Sequence, residues 1–513
     1  HVKLRHEKGD SQMKKYLLTV DNGGTYIKGA LFDREGRQIA HAKERSQPIT
    51  PKSGWLEYNQ NTLWEINCRI IRSLLAVSGI DPAEVACVGF SAQGCGLYMV
   101  DKDGKEIRNG IASSDIRALD IAERWDADGT SDRLYPYIYR RNSPSHTNTL
   151  LRWMKEHEPE NYARIGYIFS MKDILIHRIT GKPAASMGCL SVSGLMNLQT
   201  GKIDPMLAEM FGIPEMADKF APLYWDNEIC GTVSARAAAE CGLAEGTSVI
   251  AGHHDVLASA MSLGVLDSDP LFIITGTCAI NAYASPTPIL NGTVRYNELY
   301  AFPGLYLIEE GFFASSGSLE WVISALYGEA AHGSAGIYAE INRMISETPP
   351  APGQPFFLPY LRGWRDNADA SGCWIGLHGE HTRANMLRAV YEGVAFSHML
   401  QIEHLLANRE KPALIRMAGG ACNSPEWVQI FADALNTSIE ITPDSEMGTL
   451  GTAITAAAAA GFYPSLVEAY AHMRGRTQII RPIPENAGIY AEKFARYKAL
   501  VEKLDGVWGV LKV

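Results

Sequence analysis

Several protein classes are disfavoured by what this chain lacks. Its nine cysteines include no Cys-x-x-Cys pair and their number is odd, which speaks against zinc fingers and a disulfide framework. Reduced thiols in a cytoplasmic protein are the expectation. No stretch approaches the ~18 apolar residues of a membrane-spanning helix. Residues 1–12 are polar and carry no apolar core, so they do not read as a signal peptide. Basic residues are not in surplus, 47 against 57 acidic ones for a net charge of −10, and a nucleic-acid partner would call for a basic patch. No low-complexity segment occurs. What is present is the composition of a globular protein, 46% hydrophobic and 20% charged over 513 residues. At roughly 100–200 residues per domain, more than one domain is expected.

The hydrophobic pattern predicts an α/β chain built twice. Residues 16–20 read as a buried strand that ends in Asp21-Asn22-Gly23-Gly24-Thr25, and 27–32 and 38–42 continue it as a β-meander. Leu63, Ile66, Ile70, Leu74 and Leu75 recur at helical spacing, predicting a helix over 61–78. A strand at 85–90 runs into Ser91-Ala92-Gln93-Gly94-Cys95-Gly96, and residues 118–245 read as mainly helical. Strand character returns at 247–252 and again at 271–274, where Thr275-Gly276-Thr277 repeats the opening logic before a strand at 280–284. A long helix (382–408), a strand (414–418), Gly419-Gly420-Ala421, a helix (424–435), a small-residue helix (448–460) and a covering helix (486–506) follow. The expected division is residues 1–13 as a frayed or added end, 14–264 as an N-terminal domain and 265–513 as a C-terminal domain, with the join near Gly264, Asp267 and Pro270.

Strand-end glycine turns are where such folds meet ligands. Asp21 with Gly23, Gly24 and Thr25 reads either as a phosphate cradle whose carboxylate holds Mg²⁺ or as a plain hairpin turn. Lys28 is placed to put a cation on a terminal phosphate. Gly276 and Thr277 fit the other side of the phosphates, and Gly419-Gly420 reads either as an anion site opening a helix, with Asn423 as a donor, or as strand-to-helix packing. Asp255 follows a strand and a glycine in Gly252-His253-His254-Asp255, placed as a general base for an attacking hydroxyl, as a helix N-cap, or as both. Its neighbours His253 and His254 point to opposite faces and fit packing or substrate hydrogen bonding better than metal ligation. Asp115 and Arg117 read as a polyol-binding pair or as a cap with a local ion pair. Trp55 and Glu57 offer an aromatic face and an acceptor, although a tryptophan is more often core.

Taken in order, these motifs resemble the FGGY carbohydrate kinases of the actin-like (ribonuclease H-like) ATPase superfamily. The carrying residues are Asp21 to Thr25, Gly54-Trp55-Leu56-Glu57, Gly89 to Gly94, Asp115-Ile116-Arg117, Gly252 to Asp255, Gly276-Thr277, Tyr391 to Phe396, Gly419-Gly420 with Trp427, Gln429, Ala432 and Asp433, and the 448–460 helix. The resemblance spans about residues 14–505. It implies two duplicated actin-like domains flanking a catalytic cleft, and ATP:sugar phosphotransfer with Mg²⁺. It implies Asp255 as catalytic base, and Asp21 with Asp255 beside the metal. Gly23, Gly24, Thr25, Lys28, Gly276, Thr277, Gly419, Gly420 and Asn423 fall on the nucleotide side. Gln93, Gly94, Cys95, Trp55, Glu57, Asp115, Arg117 and His254 fall on the sugar side. Gly24 stands where many relatives have threonine, and Ser113 stands where tryptophan is common. Gln93-Gly94-Cys95-Gly96 replaces both the Gln-Met-His-Gly of common xylulokinases and the Gln-Arg-Glu-Thr of glycerol kinases. The combination is most similar to the L-xylulose kinase branch, with D-xylulose, ribulose, 3-keto-L-gulonate or another ketose, sugar acid or polyol as alternative acceptors. A chaperone-type actin-like ATPase and a non-catalytic sugar sensor are the rival classes. The implied partners are a small sugar and ATP, with no nucleic acid and no membrane; a homodimer is compatible with this set.

Overall fold

In each half, a meander of three antiparallel strands shares its first strand with a parallel array. In the first half the strands are β1 (Tyr16–Asn22), β2 (Tyr26–Phe32), β3 (Gln38–Arg45), β4 (Val85–Ala92), β5 (Ile229–Thr232), β6 (Ser248–Ile250) and β7 (His253–His254). They form a seven-stranded sheet in the order β5-β6-β4-β1-β2-β3, with β7 added alongside β4. β1, β4 and β6 run parallel, and all eight residues of β4 are buried, as expected of central strands covered on both faces. β3 lies at the edge, alternates toward solvent and carries Lys43, Glu44 and Arg45, which blunts the edge against further pairing. The computed structural model describes residues 14–511 except 277, 313–314, 329–332, 365–366, 368 and 444–445. The expectations placed on residues 1–13 and on Thr277 therefore fall outside the described residues.

Helix α1 (Gln60–Ser78) forms where the 3.6-residue period predicts it. Asn59 caps it by accepting from the Thr62 N–H, and Gly79 ends it in the left-handed region at φ 67°. Its inner stripe of Leu63, Ile66, Ile70, Ile71 and Leu74 is buried in the same core as Leu18, Val20 and Val88. Helix α2 (Asp255–Ser262) begins directly after β7.

The second half repeats the plan with β8 (Leu271–Thr275), β9 (Ala279–Ser285), β10 (Tyr296–Leu299), β11 (Tyr306–Phe312), β12 (Leu414–Gly419), β13 (Ser438–Ile441) and β14 (Gln478–Ile480), ordered β10-β11-β9-β8-β12-β13-β14. β8 pairs antiparallel with β9 and parallel with β12, as β1 does with β2 and β4. Helix α3 (Arg383–Leu406) is buried along most of its length, taking Arg388, Glu392 and His398 inside with its apolar residues, and α4 (Pro425–Leu435) is capped by Ser424.

The chain divides into two compact units. One holds residues 14–266 together with 298–304 and 446–474; the other holds 267–297, 305–443 and 475–511. The first unit thus takes in two pieces from beyond residue 264. One of them is the small-residue helix Met447–Ala459, whose Leu450, Ala453, Ile454 and Ala457 share a core with Leu17, Cys87 and Ile250.

Candidate active site

β1 and β2 pair in the register Asp21↔Lys28. Directly opposed residues of an antiparallel pair project to one face, so a carboxylate and an ammonium leave the first unit's sheet side by side. The parallel pairing of β1 with β4 sets Ser91 next to Asp21, and the serine hydroxyl donates to Asp21 Oδ1 at 2.7 Å. Burial pushes the Asp21 carboxyl up to about 6, partly opposed by that hydrogen bond and reinforced by the charge of Asp255. Lys28 Nζ meets Glu446 Oε2 at 2.7 Å. Gly448, in the first turn of the Met447–Ala459 helix, approaches Asp21 so closely that a Cβ there would lie 2.5 Å from its Cγ. Gly23, Gly24 and Thr25 form the turn between β1 and β2, with Gly24 and Thr25 exposed.

Asp255 stands at the carboxyl end of β7, which runs parallel to β4 in the register His253↔Ser91 and His254↔Ala92. It is the first residue of α2, while the N-cap position belongs to His254. This corrects the cap expected at Asp255: its Oδ1 accepts from the next N–H, Val256, at 2.9 Å. With 56% of its side chain exposed it opens to solvent, whereas Asp21 is only partly exposed.

The two histidines before it do diverge. His253 is buried, with Nδ1 3.2 Å from Asp226 Oδ2 and Nε2 2.7 Å from Thr455 Oγ1, so it ties β7 to the Met447–Ala459 helix. His254 faces the Gln93–Cys95 loop: a Cβ on Gly94 would stand 3.6 Å from the His254 Cβ and Cγ. Its Nε2 pairs with Glu298 Oε1 at 3.0 Å and its Nδ1 lies 3.8 Å from Asp255 Oδ1. Burial works against charge on this ring, but Glu298 and Asp255 outweigh it and hold the imidazole well above its usual value. The other oxygen of Glu298 takes Arg140 Nη2 at 3.2 Å. Neither Glu298 nor Arg140 was signalled in the sequence; both lie far along the chain from Asp255 and belong to no local motif.

On the same side, Gln93 Oε1 accepts from Ser113 Oγ at 2.7 Å and its amide donates to Tyr98 Oη at 3.4 Å. Cys95 adopts φ 58°, with Sγ 3.7 Å from the Val192 carbonyl. Glu57, Asp115 and Arg117 are drawn into one buried charge cluster. Their side chains are 8%, 0% and 0% exposed. Asp115 accepts from Arg117 Nε and Nη2 at 2.9 and 2.8 Å and from the Leu56 N–H at 2.6 Å. Glu57 takes Arg117 Nη2 at 2.9 Å and also Arg108. Trp55 packs beneath the Arg117 guanidinium, 4.1 Å from ring to cation, with Trp153 on the same guanidinium at 5.1 Å. The local ion pair of Asp115 and Arg117 is formed, and Glu57 and Trp55 pack against it.

The second unit carries a separate loop pair. Ser316 Oγ donates to the carbonyls of Thr275 and Gly276, each at 2.9 Å. Gly419 ends β12 at φ 100°, where a Cβ would lie 2.4 Å from the Thr275 carbonyl oxygen, so glycine is required there. No α-helix opens at Gly420, contrary to expectation. Residues Gly420–Asn423 form a 3₁₀ turn, the Ala421 N–H is taken by Thr275 Oγ1 at 3.1 Å, and α4 starts five residues later. Beside this turn lies a cavity of about 240 Å³ lined by Ser316, Glu320, Tyr338, Gly420, Asn423 and Trp427, among others.

Comparison with known proteins meets this geometry at full length. Residues 16–262 match the N-terminal domain and residues 271–460 the C-terminal domain of the FGGY family of carbohydrate kinases. The chain belongs to that family. It is a sugar kinase, transferring phosphate from ATP to a carbohydrate. It is 34% identical to a protein of Escherichia coli K12 named L-xylulose/3-keto-L-gulonate kinase, over 98% of this chain and 99% of the relative. It is 33% identical to one of Pasteurella multocida named probable L-xylulose kinase, over 96% and 99%. A ligand-bound xylulose kinase structure from Lactobacillus acidophilus superposes with a TM-score of 0.89 at 23% identity, over 97% and 100%. At that identity the likeness establishes the duplicated actin-like α/β fold of this FGGY chain. No helix among the described residues is long and apolar enough to cross a membrane.

Proposed function

We propose that this kinase phosphorylates L-xylulose, with Asp255 as the base. The observation that carries the role of Asp255 is its position: an exposed carboxylate at a strand end, beside the His254 wall of the Gln93–Cys95 loop and within electrostatic reach of half-buried Asp21. The acceptor assignment rests on the names of the two relatives above. The sugar hydroxyl attacks the γ-phosphorus in line, and its proton passes to Asp255. Oδ1 is engaged by the α2 backbone, which leaves Oδ2 to take it. Lys28, paired with Glu446 in this state, turns to the transferring phosphoryl group. In the second unit, the Gly276 turn, Gly419-Gly420 and Asn423 hold the nucleotide, with the base seated in the adjoining cavity.

The residues present suit Mg²⁺. Asp21 is a half-buried carboxylate made harder to ionise by desolvation and by the negative charge of Asp255 and Glu446, a setting that a divalent cation relieves. No cluster of three or more His, Cys, Asp or Glu residues with metal-site geometry occurs among the described residues, and Mg²⁺ commonly takes one or two carboxylates plus water and phosphate. Asp21 with Asp255 would hold it, and the bound ion supplies charge neutralisation at the phosphates.

A sugar acid is the second reading, favoured by Arg140 and His254, two cationic side chains sharing the single Glu298 carboxylate beside the sugar-side loop. The test is a panel of L-xylulose, D-xylulose, ribulose, 3-keto-L-gulonate and glycerol, read by ATP consumption and by product mass. Highest kcat/KM on L-xylulose is expected; a preference for 3-keto-L-gulonate installs the second reading, and no phosphorylated product from any member rejects both. Asp255→Asn is expected to remove most turnover while ATP affinity stays near wild type.

A further inference from the structure

Four ionisable side chains of the first unit follow one another within ion-pair distance, and the last is the base. Arg140 Nη2 lies 3.2 Å from Glu298 Oε2; Glu298 Oε1 lies 3.0 Å from His254 Nε2; His254 Nδ1 lies 3.8 Å from Asp255 Oδ1. The first three are almost fully buried, with side chains 3–5% exposed, and Asp255 alone opens to solvent. Each oxygen of Glu298 faces a different basic side chain, and each nitrogen of His254 faces a different carboxylate. A 180° flip of that ring would put carbon where each nitrogen stands, so the pairing on both sides selects one orientation.

Glu298 reaches this place on the short segment Glu298–Gly304, which folds with the first unit although it follows the start of the second half. The segment is pinned. The Leu299 N–H donates to Ser191 Oγ at 3.3 Å, and the Tyr300 hydroxyl donates to the Val265 carbonyl. A buried acid near the end of strand β10, with each oxygen within ion-pair distance of a different basic side chain, is a rigid support. Removing one partner of a buried ion pair is strongly disruptive, because the other charge is left uncompensated.

We propose that Glu298, braced by Arg140, is a positioning residue for phosphoryl transfer: it fixes the His254 ring, and through that ring the attitude of the Asp255 carboxylate and the wall behind Gly94. The proposal rests on Asp255 being the base. Precise placement of a catalytic group governs rate, and a misplacement of about 1 Å is enough to lose ~100-fold. Glu298 acts at a distance from the reacting atoms, so its removal should lower kcat more than it raises the KM of either substrate.

The test combines Glu298→Gln, which keeps shape and drops charge, and Glu298→Asp, which keeps charge, each with and without Asp255→Asn. For Glu298→Gln a 10-fold or greater fall in kcat is expected, with ATP KM within about threefold of wild type. Glu298→Asp should recover most of the loss. In the Asp255→Asn background, Glu298→Gln should have little further effect, because the group it positions is gone. Product accumulation followed over hours by mass spectrometry keeps the slow double variants measurable. Near-wild-type kcat in Glu298→Gln overturns the proposal, as does an equal fold-loss in both backgrounds, which a purely structural role would give. If Glu298→Gln does not fold, His254→Gln takes its place, leaving the Arg140–Glu298 pair intact, and the same non-additivity with Asp255→Asn decides. Full activity of Asp255→Asn alone overturns the base assignment, a result separate from any behaviour of Glu298.

Discussion

Replacing Gly448 by alanine isolates the role of Asp21 without touching its carboxylate. The added methyl would sit 2.5 Å from Asp21 Cγ and 2.8 Å from each of its oxygens. Comfortable contacts between such atoms are near ~3.5 Å, so helix and carboxylate must part by roughly 0.7–1 Å. Stability should fall by no more than ~2 kcal/mol, because alanine gains ~1 kcal/mol of helix propensity over glycine against an overpacking cost of ~1–3 kcal/mol. Activity should register it clearly. The displaced carboxylate also bears on the Ser91 hydrogen bond at 2.7 Å, and displacements of this size cost up to ~100-fold in rate. Gly448→Ala is therefore expected to lower kcat/KM by about 10- to 100-fold, or about 1.4–2.7 kcal/mol of transition-state stabilisation. A coupled ATP-consumption assay over a Mg²⁺ titration, with Tm measured in parallel, reads both quantities. Wild-type kcat/KM and an unchanged Mg²⁺ requirement in a folded variant would refute the placement of Asp21 at the metal and phosphates.

Arg117→Met leaves buried Asp115 and Glu57 without their shared cation, and denaturant unfolding should show a loss of ~3–5 kcal/mol; a loss under about 1 kcal/mol would mean that the network is not structural. Ser316→Ala removes the hydroxyl joining the Thr275 and Gly276 carbonyls, so ATP KM should rise several-fold with sugar KM unchanged, as initial-rate kinetics will show. His398 is held neutral by burial, its pKa pushed down to about 3, with Nδ1 2.8 Å from Asn281 Oδ1 and Nε2 2.8 Å from Ser315 Oγ. The unfolded chain takes up a proton that the folded chain resists, so this contribution is full above the usual imidazole value of 6.5 and lost as pH falls from there towards 3. Over that window it amounts to about 1.4 kcal/mol per pH unit. His398→Gln should flatten the decline of unfolding free energy on acidification, and an unchanged slope would show that His398 does not drive it.

Much of the fold was legible because its signals are local. The stripe of Leu63, Ile66, Ile70 and Leu74 announced α1 within a residue of its start, and the two strand–glycine turns at Asp21 and Gly276 announced the duplication. Asp255 was legible for the same reason, as an acid just after a strand and a glycine. The rest depends on pairings that no window of sequence contains. Asp21 gains its character from Ser91, Glu446 and Gly448, and Asp255 gains its setting from Glu298 and Arg140. Asp115 and Arg117 show the converse. An acid and a guanidinium two residues apart read equally as a ligand pair or a local ion pair, and it takes the fold to show that they pair with each other while Trp55, Trp153 and Glu57 close around them. The Gly419-Gly420 turn misled because a strand followed by glycines usually enters an α-helix, whereas Thr275 Oγ1 captures the Ala421 N–H and tightens the chain into a 3₁₀ turn.

The membership of residues 446–474 in the first unit has a consequence for how the chain comes into being. A nascent polypeptide that has just left the ribosome up to the internal repeat boundary still lacks the helix that completes its own leading lobe. That lobe must wait, with Leu17, Cys87 and Ile250 unsheltered, while nearly two hundred further residues are synthesised. Vectorial maturation, lobe after lobe, is thereby closed to this protein, and expressing 1–266 alone should yield an aggregation-prone fragment that co-expressed 267–513 restores to solution.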